Sequence, residues 1–329
     1  MKKYDVLAAG YYGFGNLGDE LLAASVVSQL TQAGIDRNRI ALLSASPTCE
    51  SARLGVDSFD RWRLPQVWGA MQKSRTLLLG GGGLFQDATS VKSCLYYWGL
   101  VKMARAAGIK VWAAGQSIGP LSSAAGAFFA RSAFSSCVFR GVRDRRSLDV
   151  LENWGLAGIL SDDLVTGLKV KRDFERGNYL LLNLRPGYKE LADAAAAGAA
   201  ACAKEQGLAV KGVAFAEEDA AELKKYADKG VLELVQITVV KSLEDYENML
   251  SGCCRAVGMR LHFIVLAALA GLPAAAVAYD PKVSSFCARW NVPLFVPQAP
   301  EFSAPADMRE AGDGIKALFK AGLTAAMGE

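Results

Sequence analysis

A chain of 329 residues is too long for one ordinary core, so it is expected to form two domains of roughly 150 residues each. Its 52% hydrophobic and 21% charged residues exclude a disordered chain. A net charge of +4 and a pI near 8.6 exclude the dense basic stripes of a nucleic-acid binder and suit equally an anionic small molecule or a weak attraction to anionic lipid head groups.

From the N-terminus, short apolar runs alternate with segments of helical length. Strands are expected at residues 4–9, 40–43, 76–79, 110–114, 138–141 and 157–160. Helices are expected near 19–32, 64–74, 95–107, 124–134 and 145–154. Such alternation is the mark of βαβ units and a parallel sheet covered on both faces. The charged segment 169–177 then interrupts the pattern and reads as a linker. A second series follows, with strands at 179–183, 208–214, 231–234, 256–258 and 274–278. Its helices are expected near 190–205, 217–227, 243–250, 262–270 and 282–290. The predicted architecture is therefore α/β: two Rossmann-like, doubly wound domains, 1–170 and 171–329, facing a cleft at the carboxyl ends of their strands.

The first ten residues read as a strand and not as a signal peptide. The apolar stretch 261–278 is long enough to imitate a membrane span, but Gly271-Leu272-Pro273 divides it into helix, turn and buried strand. The seven cysteines show no metal-ligand spacing and read as free thiols of a reducing compartment. A cytoplasmic protein without a bound metal is expected.

Glycine runs mark the strand ends. Gly13-Phe14-Gly15-Asn16-Leu17-Gly18 has the spacing of a dinucleotide fingerprint. Asp19 and Glu20 follow at once, however, placing carboxylates where a pyrophosphate would sit. The second strand also ends in Ser44-Ala45-Ser46, without the acidic residue that would hold a ribose. The two carboxylates can serve as partners of the helix dipole; alternatively the turn presents Asp19, with Asn16 beside it, to a hydroxyl-bearing acceptor. The run Gly80 to Gly83 lacks the Lys-Ser/Thr of a P-loop. Its bare backbone at Gly81, Gly82 and Gly83 would let a ligand approach closely, and Gln116 lies in a similar segment after the next strand.

Cations occupy the same kind of position. Met259-Arg260-Leu261-His262 follows a strand and opens a helix, so Arg260, the backbone at Leu261 and His262, the sole histidine, fall at a positive helix terminus suited to an anion. Arg143, Arg185 and Lys282 also follow strands. Each is as well explained singly by a surface charge; together they suggest a pocket.

The segments GYYGFGNLGDELL, LLLGGGGLFQDATS, GQSIGPL, GVRDRRS, NLRPG, MRLHFIVLAALAGLP and YDPKV run in order from residue 10 to about 283. This ordered set resembles the signature blocks of CsaB-type polysaccharide pyruvyltransferases, with Ser117 where glycine is more usual. The resemblance implies a glycosyltransferase-B-like fold. It also implies transfer of a pyruvyl group from phosphoenolpyruvate, as co-substrate and with no further cofactor, to a sugar of a cell-wall polymer, as in S-layer anchoring, or of its lipid-linked precursor. Carried over by position, it points to Arg143, Arg260, His262 and Lys282 as donor-site residues in a cleft whose N-terminal side takes the acceptor. His262 would contact the phosphate or transfer a proton, and Lys282 would bind the anion or act as acid. Asp19, which the resemblance places in its motif without giving it a role, would be the base on the acceptor side. The acceptor would be an N-acetylhexosamine, and a lipid-linked one would bring the protein to the inner membrane face without a span. Competing readings are a sugar-nucleotide glycosyltransferase of the same architecture and a non-catalytic carbohydrate-binding protein.

Overall fold

The computed structural model describes residues 2–87, 90–298, 300–303 and 307–328. The chain divides into two units: Met1–Phe14 with Leu22–Leu168 and Glu310–Glu329, and Gly15–Leu21 with Lys169–Arg309. In the middle of the chain the division falls between Leu168 and Lys169, and two segments cross over. The final helix returns to the first unit, and the glycine-rich turn contributes its second half to the second. Both crossings have a packing reason. Among the described residues no helix is long and apolar enough to cross a membrane.

The first unit holds a seven-stranded parallel sheet of order β3-β2-β1-β4-β5-β6-β7. Its strands are β1 (Tyr4–Ala9), β2 (Ile40–Ser44), β3 (Asp57–Asp60), β4 (Ser74–Phe85), β5 (Lys110–Ile118), β6 (Cys137–Val142) and β7 (Ile159–Leu160). Val6 of β1 pairs with Ile40 on one side and Thr76 on the other. β1 is buried along its whole length, which is why, Asp5 apart, it reads as an apolar run and not as an alternation. The intervening helices are α1 (Leu17–Gln32), α2 (Pro47–Leu54), α3 (Leu64–Gln72), α4 (Lys92–Ala106), α5 (Ala124–Ser135) and α6 (Arg145–Asn153). Strand order reverses between β1 and β4, and ligands of open α/β sheets bind at the carboxyl ends beside such a switch point.

The second unit repeats the plan with five parallel strands ordered β10-β9-β8-β11-β12: β8 (Tyr179–Asn183), β9 (Ala209–Ala214), β10 (Leu234–Val239), β11 (Cys253–Gly258) and β12 (Ala274–Ala276). Its helices are α7 (Lys189–Gln206), α8 (Glu217–Asp228), α9 (Leu243–Asn248), α10 (Leu261–Leu269) and α11 (Pro281–Trp290). The switch point lies between β8 and β11. α10 is buried from Phe263 to Leu269, and Gly271 turns the chain with φ +68° into the buried β12. The apolar stretch is thus a core helix and strand.

The last helix, α12 (Arg309–Met327), packs on the first sheet. Phe319 meets Trp112 edge-on at 5.9 Å. A side chain at Gly322 would lie 2.5 Å from the Trp112 ring, and one at Gly141 would lie 2.8 Å from Leu318. Glycines at both positions let helix and sheet approach closely.

Candidate functional site

The glycine run differs from its expected form. Residues 80–83 do not follow the strand but continue it as part of β4, paired with β5 through Gly80–Ala114 and Gly82–Gln116, with a shift of register before Phe85–Ile118. Gly81 and Gly82 adopt φ +73° and +85°, conformations that glycine supplies without steric cost. A side chain at Gly80 would meet the Tyr12 hydroxyl at 2.6 Å, and one at Gly81 would meet Leu22 at 2.9 Å. The missing side chains make room for the protein's own core, and Gly83 alone of the run is exposed. In the segment quoted with it, residues 88 and 89 lie outside the described residues.

Gln116 is likewise in a strand and fully buried, its Nε2 donating to the Leu79 carbonyl at 3.1 Å. Arg143 leaves β6 and its backbone N–H donates to the Gln116 carbonyl at 3.0 Å. The Arg143 guanidinium forms an ion pair with Asp163 at 2.6 Å, the two side chains only 6% and 4% exposed. Removing one partner of such a pair leaves a buried charge, so this arginine holds the first unit together as placed.

The other predicted cations converge in the second unit, around its switch point. Arg185 follows β8 and Arg260 follows β11, the two strands flanking that point. Asn183, the last residue of β8, ties the strand ends together: its side-chain oxygen accepts from the Arg260 N–H at 2.9 Å and its amide nitrogen donates to the Val213 carbonyl at 2.8 Å. Arg260 opens α10 and grips Asp219 with Nε and Nη2, the shortest contact being 2.6 Å, while Glu218 lies 3.3 Å from Nη2. Asp219 is fully buried in the first turn of α8. Burial by itself would lower the Arg260 pKa, but the Asp219 carboxylate outweighs it and holds the guanidinium charged.

Tyr279 is the residue that sequence reasoning missed. Its hydroxyl accepts from Arg185 Nη1 at 2.5 Å, and the guanidinium lies 4.7 Å from its ring centre. The Lys282 ammonium lies 5.9 Å from the same ring and 3.2 Å from Asp280. Burial raises the Tyr279 pKa while the Arg185 charge opposes that rise. The rule that selected Lys282, proximity to the end of a buried strand, applies to Tyr279 with more force. Among the described residues Arg185 forms no ion pair; its partners are the Tyr279 hydroxyl and the faces of Tyr188 and Tyr279. It is the cation of this set whose charge no carboxylate matches.

His262 lies in the first turn of α10, against the turn that carries Asn16 and Asp19. A side chain at Gly18 would meet His262 Nδ1 at 2.2 Å, so only glycine lets the imidazole lie there. Asn16 Oδ1 accepts from the Gly18 N–H at 3.1 Å, and Leu17 N–H donates to the Phe215 carbonyl at 3.0 Å. These contacts are why the segment Gly15–Leu21 groups with the second unit. Asp19 lies in the first turn of α1, its backbone N–H donating to the Asn16 carbonyl at 3.0 Å. Leu261 is buried at the start of α10, leaving its backbone as the group it can offer.

The second unit thus brings Arg185, Arg260, His262, Lys282, Asn16 and Asp19 into one region of structure, and Arg143, Gln116 and the glycine run belong to the first. Two clefts elsewhere, of 680 Å³ beside Asn291 and Phe302 and 710 Å³ beside Lys3 and Asp36, are lined by none of these residues. Among the described residues no cluster of three His, Cys, Asp or Glu side chains could hold a metal ion.

A profile of the family described as polysaccharide pyruvyl transferase matches residues 16–281, which spans both units and every cation above except Lys282. The chain belongs to that family. No curated protein matches it in sequence. Among solved structures, UDP-GlcNAc 2-epimerase from Methanocaldococcus jannaschii is similar with a TM-score of 0.58 at 10% identity, over 97% of this chain and 99% of that one. The Neisseria meningitidis enzyme of the same name, bound to UDP-GlcNAc, gives 0.57 at 10% identity over 98% and 93%. An Anabaena protein in complex with UDP and glucose gives 0.53 at 11% over 98% and 92%. At such identity these likenesses speak for the fold alone, a glycosyltransferase-B-like pair of Rossmann-like domains.

Proposed function

We propose that this member of the polysaccharide pyruvyl transferase family uses phosphoenolpyruvate as donor and forms a pyruvate ketal on a sugar of a cell-wall glycan or its lipid-linked precursor. The observation that carries this reading is the second unit's switch point, where Arg185 and Arg260 leave the two flanking strands and α10 offers its N-terminus. Phosphoenolpyruvate bears a carboxylate and a phosphate, and guanidinium groups can hold either with two parallel hydrogen bonds. Arg260, already fixed by Asp219, supplies a positioned donor whose conformational entropy is spent before the ligand arrives. Arg185 supplies the uncompensated charge.

In the reaction the methylene carbon takes a proton and a sugar hydroxyl adds to the adjacent carbon. Phosphate departs with the electrons of the carbon–oxygen bond. A second hydroxyl then closes the ketal. His262 and Lys282 are assigned the proton given to the donor and the charge on phosphate, and Asp19 the proton of the attacking hydroxyl. The gap that glycine leaves at position 18 brings the imidazole against the turn bearing Asp19, so acid and base fall on adjoining segments.

The test is acceptor-dependent phosphate release from phosphoenolpyruvate by purified protein, in the presence of N-acetylhexosamine glycosides. Arg185→Ala should raise the donor KM about tenfold to a hundredfold, the worth of a hydrogen bond to a charged group, while the loss of its contacts with Tyr188 and Tyr279 lowers the melting temperature by only a few degrees. Release that is absent, together with thermal stabilisation by a nucleotide sugar, would replace this reading with a sugar-nucleotide transferase.

A further inference from the structure

The first unit carries a cluster of aromatic rings that the chemistry above does not use. Tyr11 and Phe14 follow β1, Trp62 follows β3, and Tyr96 and Tyr97 lie early in α4 after β4. All five surround one guanidinium. Arg61 lies 4.5 Å from the ring centre of Tyr96, 5.1 Å from Trp62, 5.2 Å from Phe14, 5.4 Å from Tyr97 and 5.9 Å from Tyr11. Arg61 is itself only 3% exposed. Its Nη1 donates to the Gly10 carbonyl at 2.6 Å and its Nη2 to the Tyr97 hydroxyl at 3.1 Å. Its backbone carbonyl accepts from the Tyr96 hydroxyl at 3.0 Å. Its Nε is buried with no hydrogen-bond partner among the described residues.

The outer rings of this cluster face water. Tyr11 and Phe14 stack in parallel at 3.9 Å and 10°, yet are 45% and 38% exposed, and Trp62 is 60% exposed. Trp62 meets Phe14 edge-on at 6.5 Å and Tyr96 at 5.4 Å. Rings of this size are normally spent in a core. Here they are fixed from behind by a buried cation and hydrogen bonds, and left bare in front.

We propose that Tyr11, Phe14 and Trp62 form a stacking platform for a pyranose ring of the acceptor glycan. The proposal rests on the reading of this chain as a transferase to a sugar. Three observations support it. The rings follow β1 and β3 at the carboxyl edge of the sheet, and the β1 end adjoins the switch point where such sheets take ligands. A pyranose offers an apolar face of C–H groups that matches an aromatic face, with hydroxyls around its rim for the Tyr11 phenol and neighbouring polar groups. The platform is preassembled, so little conformational entropy is lost on binding. A lipid surface fits less well. The cation among the rings is buried and cannot reach a headgroup.

The test is calorimetric titration of the full chain, without phosphoenolpyruvate, with glucose, galactose and mannose, their N-acetylated forms, and β-linked disaccharides of each. At least one disaccharide should bind, and Trp62→Leu should weaken it about tenfold, the order expected for a lost aromatic contact. Trp62→Phe, which keeps a ring, should stay within about threefold. With Trp62 so exposed, both variants should fold as the parent does. The proposal fails if none of these sugars binds, or if Trp62→Leu binds as tightly as the parent. It also fails if the residue proves necessary only for sedimentation with phosphatidylglycerol vesicles. Because no donor is present, sugar binding that depends on Trp62 would stand even if phosphate release were never observed.

Discussion

The contact between His262 and residue 18 gives the most direct residue-scale prediction. A methyl group at position 18 would sit 2.2 Å from the imidazole nitrogen, closer than nonbonded atoms can lie, so Gly18→Ala must displace the ring or the turn. Overpacking of this kind costs about 1–3 kcal/mol. The loss of a correctly placed acid or base costs about a hundredfold to ten-thousandfold in rate. Gly18→Ala should therefore lower kcat by at least about a hundredfold while the melting temperature falls by only a few degrees. A variant with the parent's kcat would remove His262 from the chemistry. The sequence shows the glycine and the histidine as separate motifs 244 positions apart in number; only the fold shows that one exists to admit the other. Tyr279 was hidden for a related reason. A lone tyrosine after a strand carries no signal until Arg185, from a strand two positions away in the sheet order, is seen to donate to it.

At the scale of elements, buried strands were legible and edge strands were not. β1 and β8 match their expected ranges because burial on both faces demands mostly apolar sequences, broken only by Asp5 and Asn183, whose side chains are paired. β3, with the sequence Asp-Ser-Phe-Asp, is exposed to half-buried along its length and has no such run; together with α2 it escapes notice. β10 lies at the other sheet's edge with Val235 58% exposed, and the sequence places it a few residues too early. The expected strand 76–79 stops short of the glycine run because glycine disfavours strands in general; pairing with β5 on one side and the demand for space from Tyr12 on the other carry β4 through it. The central strands are also joined by charge. Asp5 in β1 accepts from Arg39, just ahead of β2, through Nε at 2.5 Å and Nη2 at 2.6 Å, and from Arg75 in β4 at 3.4 Å. The Arg39 bonds hold the Asp5 carboxyl below its ordinary value of 3.8. A carboxyl so lowered contributes stability that is complete above the unfolded pKa and is lost as pH falls through the folded one. Asp5→Asn should therefore cost about 1.5–3 kcal/mol near neutrality. The gap between parent and variant in urea melts should close progressively below about pH 5. A gap that persists unchanged at about pH 2 would show that the effect is steric.

At the scale of the whole molecule, the two-domain plan is readable from the alternation of strands and helices, but its exact partition is not. The closing helix was invisible because glycines at 312, 314 and 322 lower its intrinsic propensity. They are tolerated because tertiary packing on Trp112 and Gly141 supplies what propensity lacks. The consequence is that the first unit is discontinuous in sequence. Residues 1–168 made alone would lack Ile315, Leu318 and Phe319, all buried in the intact chain, and would expose Trp112, which is otherwise fully buried. Losing several large apolar contacts at about 2–5 kcal/mol each approaches the whole stability of a domain. This fragment should accordingly melt without a cooperative transition and show red-shifted tryptophan emission. A fusion in which residues 310–329 are rejoined to residue 168 through a flexible linker long enough to span the gap should recover both a sharp melt and blue-shifted emission. If the fragment alone melts as sharply as the fusion, α12 is an appendage and the first unit ends at its seventh strand and the short turn after it.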